Sequence, residues 1–290
     1  MQISTFLSEP LILMLLCGIV GLLVGSFLNV VIYRLPIMME REWRRDCREF
    51  LELEAEDNNE VFNLTLPLSR CPNCKTAIKP YQNIPVISYV FLKGKCAECK
   101  QPISLRYPLI EAFTGLCSVI VAYHFDYSIA LAFALLLTWS LIALSFIDID
   151  QQILPDDIVL PLVWLGLLMS LFNIYTDSAN SIIGAAAGYM SLWTVYHVFK
   201  LITGKEGMGY GDFKLLALFG AWLGWQFLPI IVLLSSLVGA VIGISMVIFG
   251  DRDHNVPIPF GPYLAAAGWL ALLWGNDINN LYLVTTGLQH

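Results

Sequence analysis

The chain has 290 residues, of which 57% are hydrophobic and only 13% are charged. Because soluble domains average about 25% charged residues, this composition argues against a soluble protein and favours a membrane protein. The formal net charge of −7 identifies no partner by itself. Basic residues form no stripe outside one loop, which argues against a nucleic-acid-binding protein.

Long apolar runs predict an all-α polytopic membrane protein, because a spanning helix needs about 20 mostly apolar residues. The first run lacks a basic start and is followed by Arg34, so it is interpreted as a retained helix and not as a cleaved signal peptide. The sixth run is short and rich in glycine, and seven helices are the alternative to eight. The eight predicted helices lie near residues 11–33, 107–125, 129–147, 157–175, 181–202, 213–225, 227–249 and 259–276.

The positions of the basic residues predict the orientation of these helices. Twelve of the 16 Lys and Arg residues fall between Arg34 and Arg106, and the first ten residues carry none. Positive charge near helix ends marks the cytoplasmic side of the membrane. The N-terminus is therefore expected outside and the 34–106 loop inside. Alternation then places Asp148 and Asp212 on the same cytoplasmic rim, and the 250–257 loop also faces inward.

The 34–106 loop has two parts of different character. A run of mixed charge from Glu40 to Glu60 is predicted to form either a short helix along the membrane surface or a solvated linker. The second part contains two Cys-x-x-Cys pairs that are separated by the 21 residues 75–95. The four cysteines are Cys71, Cys74, Cys96 and Cys99.

This cysteine spacing is typical of a tetrahedral structural zinc site with four thiolate ligands. A small loop that cannot build its own core needs such a link, and disulfides are not expected in a reducing cytoplasm. Gly94 and Lys95 precede the second pair, where they supply a turn and a positive charge that stabilises thiolates. A redox pair or four idle thiols are the alternative interpretations.

Acidic residues near the bilayer are costly, and they are commonly functional. Asp148 follows a predicted helix, at the end where the helix dipole disfavours negative charge. Asp156 has a structural interpretation, because it follows Pro155 and is placed to cap the next helix. Asp212 follows three closely spaced glycines and opens a helix, either as an N-cap or as a functional group. Glu206 and Lys214 flank Asp212, either to tune it or simply to lie at the interface.

Paired carboxylates a few ångströms apart can share one proton. The protonated member can then polarise a carbonyl while the ionised member activates water, which hydrolyses a peptide without a metal. Asp148 follows a helix C-terminus and Asp212 precedes a helix N-terminus. The dipoles therefore favour Asp148 as the protonated member and Asp212 as the base.

The motifs that contain these residues resemble one family over most of the chain. As an ordered set they are similar to the bacterial type IV prepilin peptidases, which are bifunctional leader peptidases and N-methyltransferases of the inner membrane. These enzymes are aspartic proteases of the Gly-x-Gly-Asp class. The resemblance rests on the segments Gly25–Pro36, the two Cys-x-x-Cys pairs, Arg106–Glu111, Asp148–Asp156, Gly204–Lys214 and Pro259–Leu264.

The resemblance implies an activity and a substrate. The enzyme would remove a short basic leader from prepilins or pseudopilins of a type IV pilus or type II secretion system, at the cytoplasmic face. It would then methylate the new N-terminus with S-adenosylmethionine. Asp148 and Asp212 would carry proteolysis, and Gly94 and Lys95 fall in the part of the loop associated with methylation. Glu111 would hold the substrate amine or the methyl donor, or it would pair with Arg106.

Three segments are expected on this basis: the first transmembrane helix in 1–33, a cytoplasmic loop with the zinc site in 34–106, and a transmembrane aspartyl protease core in 107–290. Membrane lipid and prepilin substrates are the expected partners, without nucleic acid. The alternatives are an intramembrane aspartyl protease with another substrate, a proton-coupled carrier, or a zinc-stabilised adaptor without chemistry. Carriers often contain two-fold internal repeats, which this sequence lacks.

Overall fold

A computed structural model of the chain describes residues 9–53, 61–249 and 259–286. Residues 54–60 of the mixed-charge run and the predicted 250–257 loop lie outside this part. The described residues form nine α-helices and two 3₁₀ turns (Pro80–Asn83 and Trp225–Phe227), and they contain two isolated β-bridges but no strand. The helices are α1 (Pro10–Phe50), α2 (Ile87–Phe91), α3 (Arg106–His124), α4 (Ile129–Gln151), α5 (Asp156–Ser170), α6 (Ser178–Thr203), α7 (Tyr210–Leu223), α8 (Leu228–Phe249) and α9 (Gly261–Thr286).

The all-α prediction is confirmed for the described residues, and each of the eight predicted runs lies largely within a helix. Within the part of the chain that the structure describes, four segments are long and apolar enough to cross a membrane: Pro10–Phe50, Ile129–Gln151, Ser178–Thr203 and Trp225–Ser245. Helices α5 and α7 have 15 and 14 residues. At about 1.5 Å per residue they are shorter than a hydrocarbon core of about 30 Å. The number of eight spans therefore remains a prediction.

Helix α1 is longer than the sequence predicts. It does not end at residue 33 but continues through Pro36 for 41 residues. Pro36 removes one backbone hydrogen bond, but the mixed charges beyond it match helical spacing. Arg44 and Glu40 form an ion pair of 2.6 Å one turn apart, which favours a helix over a solvated linker.

The chain divides into two compact units, residues 1–131 and 132–290. In the first unit, α1 packs along α3. Arg34 is buried near the middle of α1, and its guanidinium donates to the carbonyls of Asn63 and Pro67 at 2.9 and 2.6 Å. This arginine therefore fastens the start of the cysteine-containing segment to α1.

In the second unit, α7 is the central helix and contacts α5, α6 and α9. Every residue from Leu215 to Leu223 is buried, as expected for a short helix that is apolar on all sides. A Cβ at Gly220 would lie 2.0 Å from the carbonyl oxygen of Gly184, so α6 and α7 approach too closely for larger residues. The indole of Trp222 donates to the carbonyl of Leu162 at 2.8 Å and ties α7 to α5.

Candidate active site and metal centre

Asp148 lies in the last turn of α4, because that helix continues to Gln151 and not only to residue 147. Its side chain is buried, with a residue exposure of 6%. The backbone N–H of Gly261, the first residue of α9, donates to Oδ2 of Asp148 at 3.0 Å. One carboxylate oxygen of Asp148 is therefore held as an acceptor by a backbone group.

Asp212 lies in the first turn of α7, and it is not the N-cap. Gly209 is the N-cap residue, and the backbone N–H of Asp212 donates to its carbonyl at 3.3 Å. Asp212 is buried, and the charge of Asp148 acts on it. The structure thus brings the two aspartates together from two helix ends of opposite polarity, where the start of α7 favours an anion at Asp212.

Leu154 lies between the segments that carry the two aspartates. A Cβ placed on Gly211 would lie 2.8 Å from Cβ of Leu154. A Cβ placed on Gly261 would lie 2.6 Å from Oδ2 of Asp148 and 3.2 Å from Cδ2 of Leu154. Both positions therefore require glycine. Reasoning from the residues alone missed Leu154, because the short 153–155 connection between two helices carries no periodic signal.

The predicted capping role of Asp156 is wrong. Pro155 occupies the N-cap of α5, and Asp156 is the first helical residue. The Nζ of Lys214 instead donates to both carboxylate oxygens of Asp156, each at 2.7 Å. Glu206 forms a separate ion pair with Lys200 at 2.7 Å. Lys214 and Glu206, which flank Asp212 in sequence, thus each have another partner.

The four cysteines form one cluster in the first unit. Their sulfur atoms all lie within 4.8 Å of one another, and the Sγ atoms of Cys71 and Cys99 are 3.8 Å apart. Four thiolates around one zinc ion at about 2.3 Å would be separated by about 3.8 Å, so the cluster fits a tetrahedral metal. Hydrogen bonds from Thr76 lower the pKa of the Cys74 thiol to about 6, which favours the thiolate form that binds metal.

The two cysteine pairs have the same backbone geometry. The N–H of Lys75 donates to the carbonyl of Cys71 at 2.9 Å, and Lys100 makes the corresponding bond to Cys96 at 3.2 Å. Both lysines have a φ of 59°, the left-handed conformation that turns the chain back after each pair. Two equivalent turns that face each other are the usual way to present four thiolates to one ion.

Gly94 and Lys95 immediately precede the second cysteine pair. Gly94 has a φ of 67°, and a Cβ there would lie 2.8 Å from the hydroxyl of Tyr89. The N–H of Gly94 donates to the carbonyl of Tyr89 at 2.9 Å, and its carbonyl accepts from the N–H of Ile103 at 2.8 Å. The glycine is thus required by the local backbone, whatever further role it has.

Glu111 is buried in the second turn of α3, with an exposure of 9%. Its carboxylate accepts a hydrogen bond of 2.8 Å from the backbone N–H of Val86, the N-cap residue of α2, and another from the hydroxyl of Ser26. The alternative pair with Arg106 stays a prediction. These contacts make Glu111 an anchor between the cysteine-containing segment and the α1–α3 pair.

Taken together, the described residues form a helical membrane protein with a buried carboxylate pair and a four-thiol cluster. Residues 19–125 match the bacterial peptidase A24 N-terminal domain, and residues 135–244 match the type IV leader peptidase family. The chain belongs to the type IV leader peptidase family.

Relatives match over nearly their whole length. A Stutzerimonas stutzeri protein named prepilin leader peptidase/N-methyltransferase is 57% identical to this chain, over 95% of this chain and 96% of the relative. The Pseudomonas aeruginosa protein of that name is 54% identical over 97% of each chain. The Legionella pneumophila protein is 43% identical over 97% of this chain and 98% of its own. No solved structure gave a significant match.

Proposed function

We propose that the protein is a membrane aspartic endopeptidase that removes the short basic leader from type IV prepilins or pseudopilins and then N-methylates the new N-terminus. The observation that carries this proposal is the buried pair of Asp148 and Asp212 within the segment that matches the leader peptidase family. The names of full-length relatives support both activities.

Hydrolysis follows from the two aspartates and one water molecule. Ionised Asp212 removes a proton from water as the oxygen attacks the scissile carbonyl, and protonated Asp148 donates its proton to the carbonyl oxygen. When the C–N bond breaks, Asp212 passes its proton to the leaving nitrogen and Asp148 recovers one from the hydroxyl. The N–H of Gly261 on Oδ2 favours the ionised form of Asp148, so the assignment of the proton to Asp148 rests on the helix dipoles alone.

The active site is assigned to the cytoplasmic face of the bacterial inner membrane. The basic residues between Arg34 and Arg106 support this orientation, since positive charge is retained on the cytoplasmic side. Under this assignment the domain order is a first transmembrane helix, a cytoplasmic loop with the metal centre, and a transmembrane protease core. A basic leader held on the same side as the dyad is consistent with it.

Zinc is the metal that the four-cysteine cluster suits best. Cys71, Cys74, Cys96 and Cys99 would hold it, and as a closed four-thiolate site it would supply structure and not Lewis-acid catalysis. The cluster closes a segment that has few buried apolar residues of its own. Binding of the ion therefore contributes directly to the folding of that segment.

Methyl transfer is assigned to the first unit, with S-adenosylmethionine as the donor. Gly94, Lys95 and Glu111 are the residues proposed to serve it. The positive φ of Gly94 and the bond from Val86 to Glu111 support a role in shaping this region. Lys95 directly precedes Cys96 in sequence, and hydrogen bonds from the backbone of Cys99 and Glu98 lower the pKa of the Cys96 thiol.

Purified enzyme in detergent, a synthetic prepilin and mass spectrometry of the product test both activities at once. We expect a mass decrease equal to the leader without S-adenosylmethionine, and one further methyl group when it is added. Asp212→Ala should abolish leader removal. No cleavage by the wild-type enzyme, or full cleavage by Asp212→Ala, would overturn the proposed protease.

A further inference from the structure

The ion pair between Asp156 and Lys214 links two helix starts beside the dyad. It joins the first residue of α5 to the fifth residue of α7, with Nζ donating to both carboxylate oxygens at 2.7 Å. The side chains are 49% and 27% exposed, so the pair is partly shielded from solvent. One ammonium group thus contacts both oxygens of the carboxylate and connects the starts of α5 and α7.

The position of Lys214 is not one that helix α7 itself favours. A cation near a helix N-terminus is disfavoured by the dipole, and Lys214 lies only two residues beyond Asp212 at the start of α7. Residues two apart in a helix point about 200° away from each other, so Lys214 does not face Asp212. Its direct influence on the dyad is therefore small, and the contact that it makes is with Asp156.

The ion pair connects the two chain segments that carry the aspartates. The connection follows the chain from Asp148 through residues 149–155 to Asp156, passes through the ion pair to Lys214, and follows α7 back to Asp212. Leu154 is part of this connection, and it lies next to Gly211 and Gly261. Gly211 immediately precedes Asp212, and Gly261 donates to Asp148. Leu154 therefore packs against the residue that precedes Asp212 and against the residue that donates to Asp148.

We propose that the Asp156–Lys214 ion pair is a positioning device, which holds the 152–155 loop so that Leu154 keeps the two catalytic carboxylates at their working separation. This proposal rests on the proposed function of the dyad. Neither charge touches the reacting atoms. Loss of the pair should lower kcat for leader removal, because a small misplacement of catalytic groups is costly, and it should leave KM unchanged.

The test compares Lys214→Met and Asp156→Asn with the exchanged double variant Asp156→Lys/Lys214→Asp. Each single variant should lose about tenfold to hundredfold in kcat. The exchanged pair should recover most of that loss. Leu154→Ala should lower kcat although it leaves the ion pair intact. This variant therefore distinguishes a loss of positioning from general unfolding. Glu40→Gln removes an ion pair of similar length in α1 and serves as the matched control.

Methylation of an already cleaved pilin is measured on every variant, together with thermal unfolding in detergent. The proposal requires that cleavage fall while methylation and the unfolding temperature stay near the wild-type values. It is overturned if the single variants keep wild-type kcat, if both activities fall together, or if the exchanged pair recovers nothing. Asp148→Asn is included because its full activity would reject the dyad itself, a result distinct from failure of the positioning device.

Discussion

The backbone N–H of Gly261 donates to Oδ2 of Asp148 at 3.0 Å, although 113 residues separate them in sequence. This bond connects the last turn of α4 to the first residue of α9. It orients one of the two carboxylates by a backbone group, whose position is fixed by the start of α9.

The contact leaves no room for a side chain at position 261. We expect Gly261→Ala to reduce leader removal about hundredfold, because its Cβ would lie 2.6 Å from Oδ2 of Asp148 and would displace the carboxylate. Steady-state cleavage of a synthetic prepilin measures the loss. Methylation of a cleaved pilin should continue, and wild-type cleavage by this variant would contradict the assigned contact.

The two glycines of the Gly-x-Gly-Asp motif should differ in their tolerance of alanine. A Cβ at Gly209 would meet only Oδ2 of Asp212, at 3.9 Å, and the backbone there has a φ of −82° that any residue can adopt. Gly209→Ala should therefore keep cleavage within about twofold of wild type. A Cβ at Gly211 would lie 2.8 Å from Cβ of Leu154, so Gly211→Ala should lose at least about tenfold.

These two variants form a matched pair, because they make the same chemical change two residues apart. Cleavage rates and unfolding temperatures are measured for both in the same detergent. Equal losses, or a larger loss for Gly209→Ala, would show that the motif needs glycine for a reason other than the contact with Leu154.

The helices and the four-cysteine cluster were predictable from the sequence, because apolar runs and cysteine spacing are local patterns. The end of α1 was not, since the helix continues past residue 33 through Pro36 into the mixed-charge run, where Glu40 and Arg44 pair one turn apart. Asp156 shows that a partner distant in sequence could not be predicted. Its position after Pro155 matched a cap, but its partner Lys214 is 58 residues away, and no local rule indicates a partner at that distance.

The residues of the candidate site were predictable individually, but their contacts were not. Asp148 and Asp212 could be selected one at a time by their places at helix ends, whereas the alignment of Gly261 on Asp148 depends on how α9 packs in the second unit. Glu111 was selected as an intramembrane acid, but its bond to the N–H of Val86 appears only once the segment before α2 is folded.

Loss of one cysteine of the cluster should separate the two activities. Purified wild-type protein should contain about one zinc ion per chain, and Cys74→Ser should contain much less, because a four-thiolate site needs all its ligands. The cysteines and the aspartates belong to different compact units. Methylation should therefore be lost while cleavage stays within about twofold. Metal analysis and the two assays measure this.

Cys47 provides the control for that experiment, because it is exposed and lies outside the cluster. Cys47→Ser should keep both zinc and methylation. If Cys74→Ser retained a full equivalent of zinc, the metal would not be held by the cluster.

The two aspartates should respond differently to replacement by asparagine. In the Asp148→Asn variant, the new amide could still accept the N–H of Gly261 through its oxygen and donate from its nitrogen where the proton of Asp148 would lie, so cleavage should fall about 10²-fold. In the Asp212→Asn variant, the amide cannot accept a proton from water, so cleavage should fall about 10⁴-fold. Single-turnover cleavage rates compare the two variants. Because the pair shares its proton, the assignment describes one arrangement of a coupled pair. The reverse order would place the proton on Asp212, and equal losses would reject the assignment to Asp148. Either result leaves the pair itself as the catalytic unit.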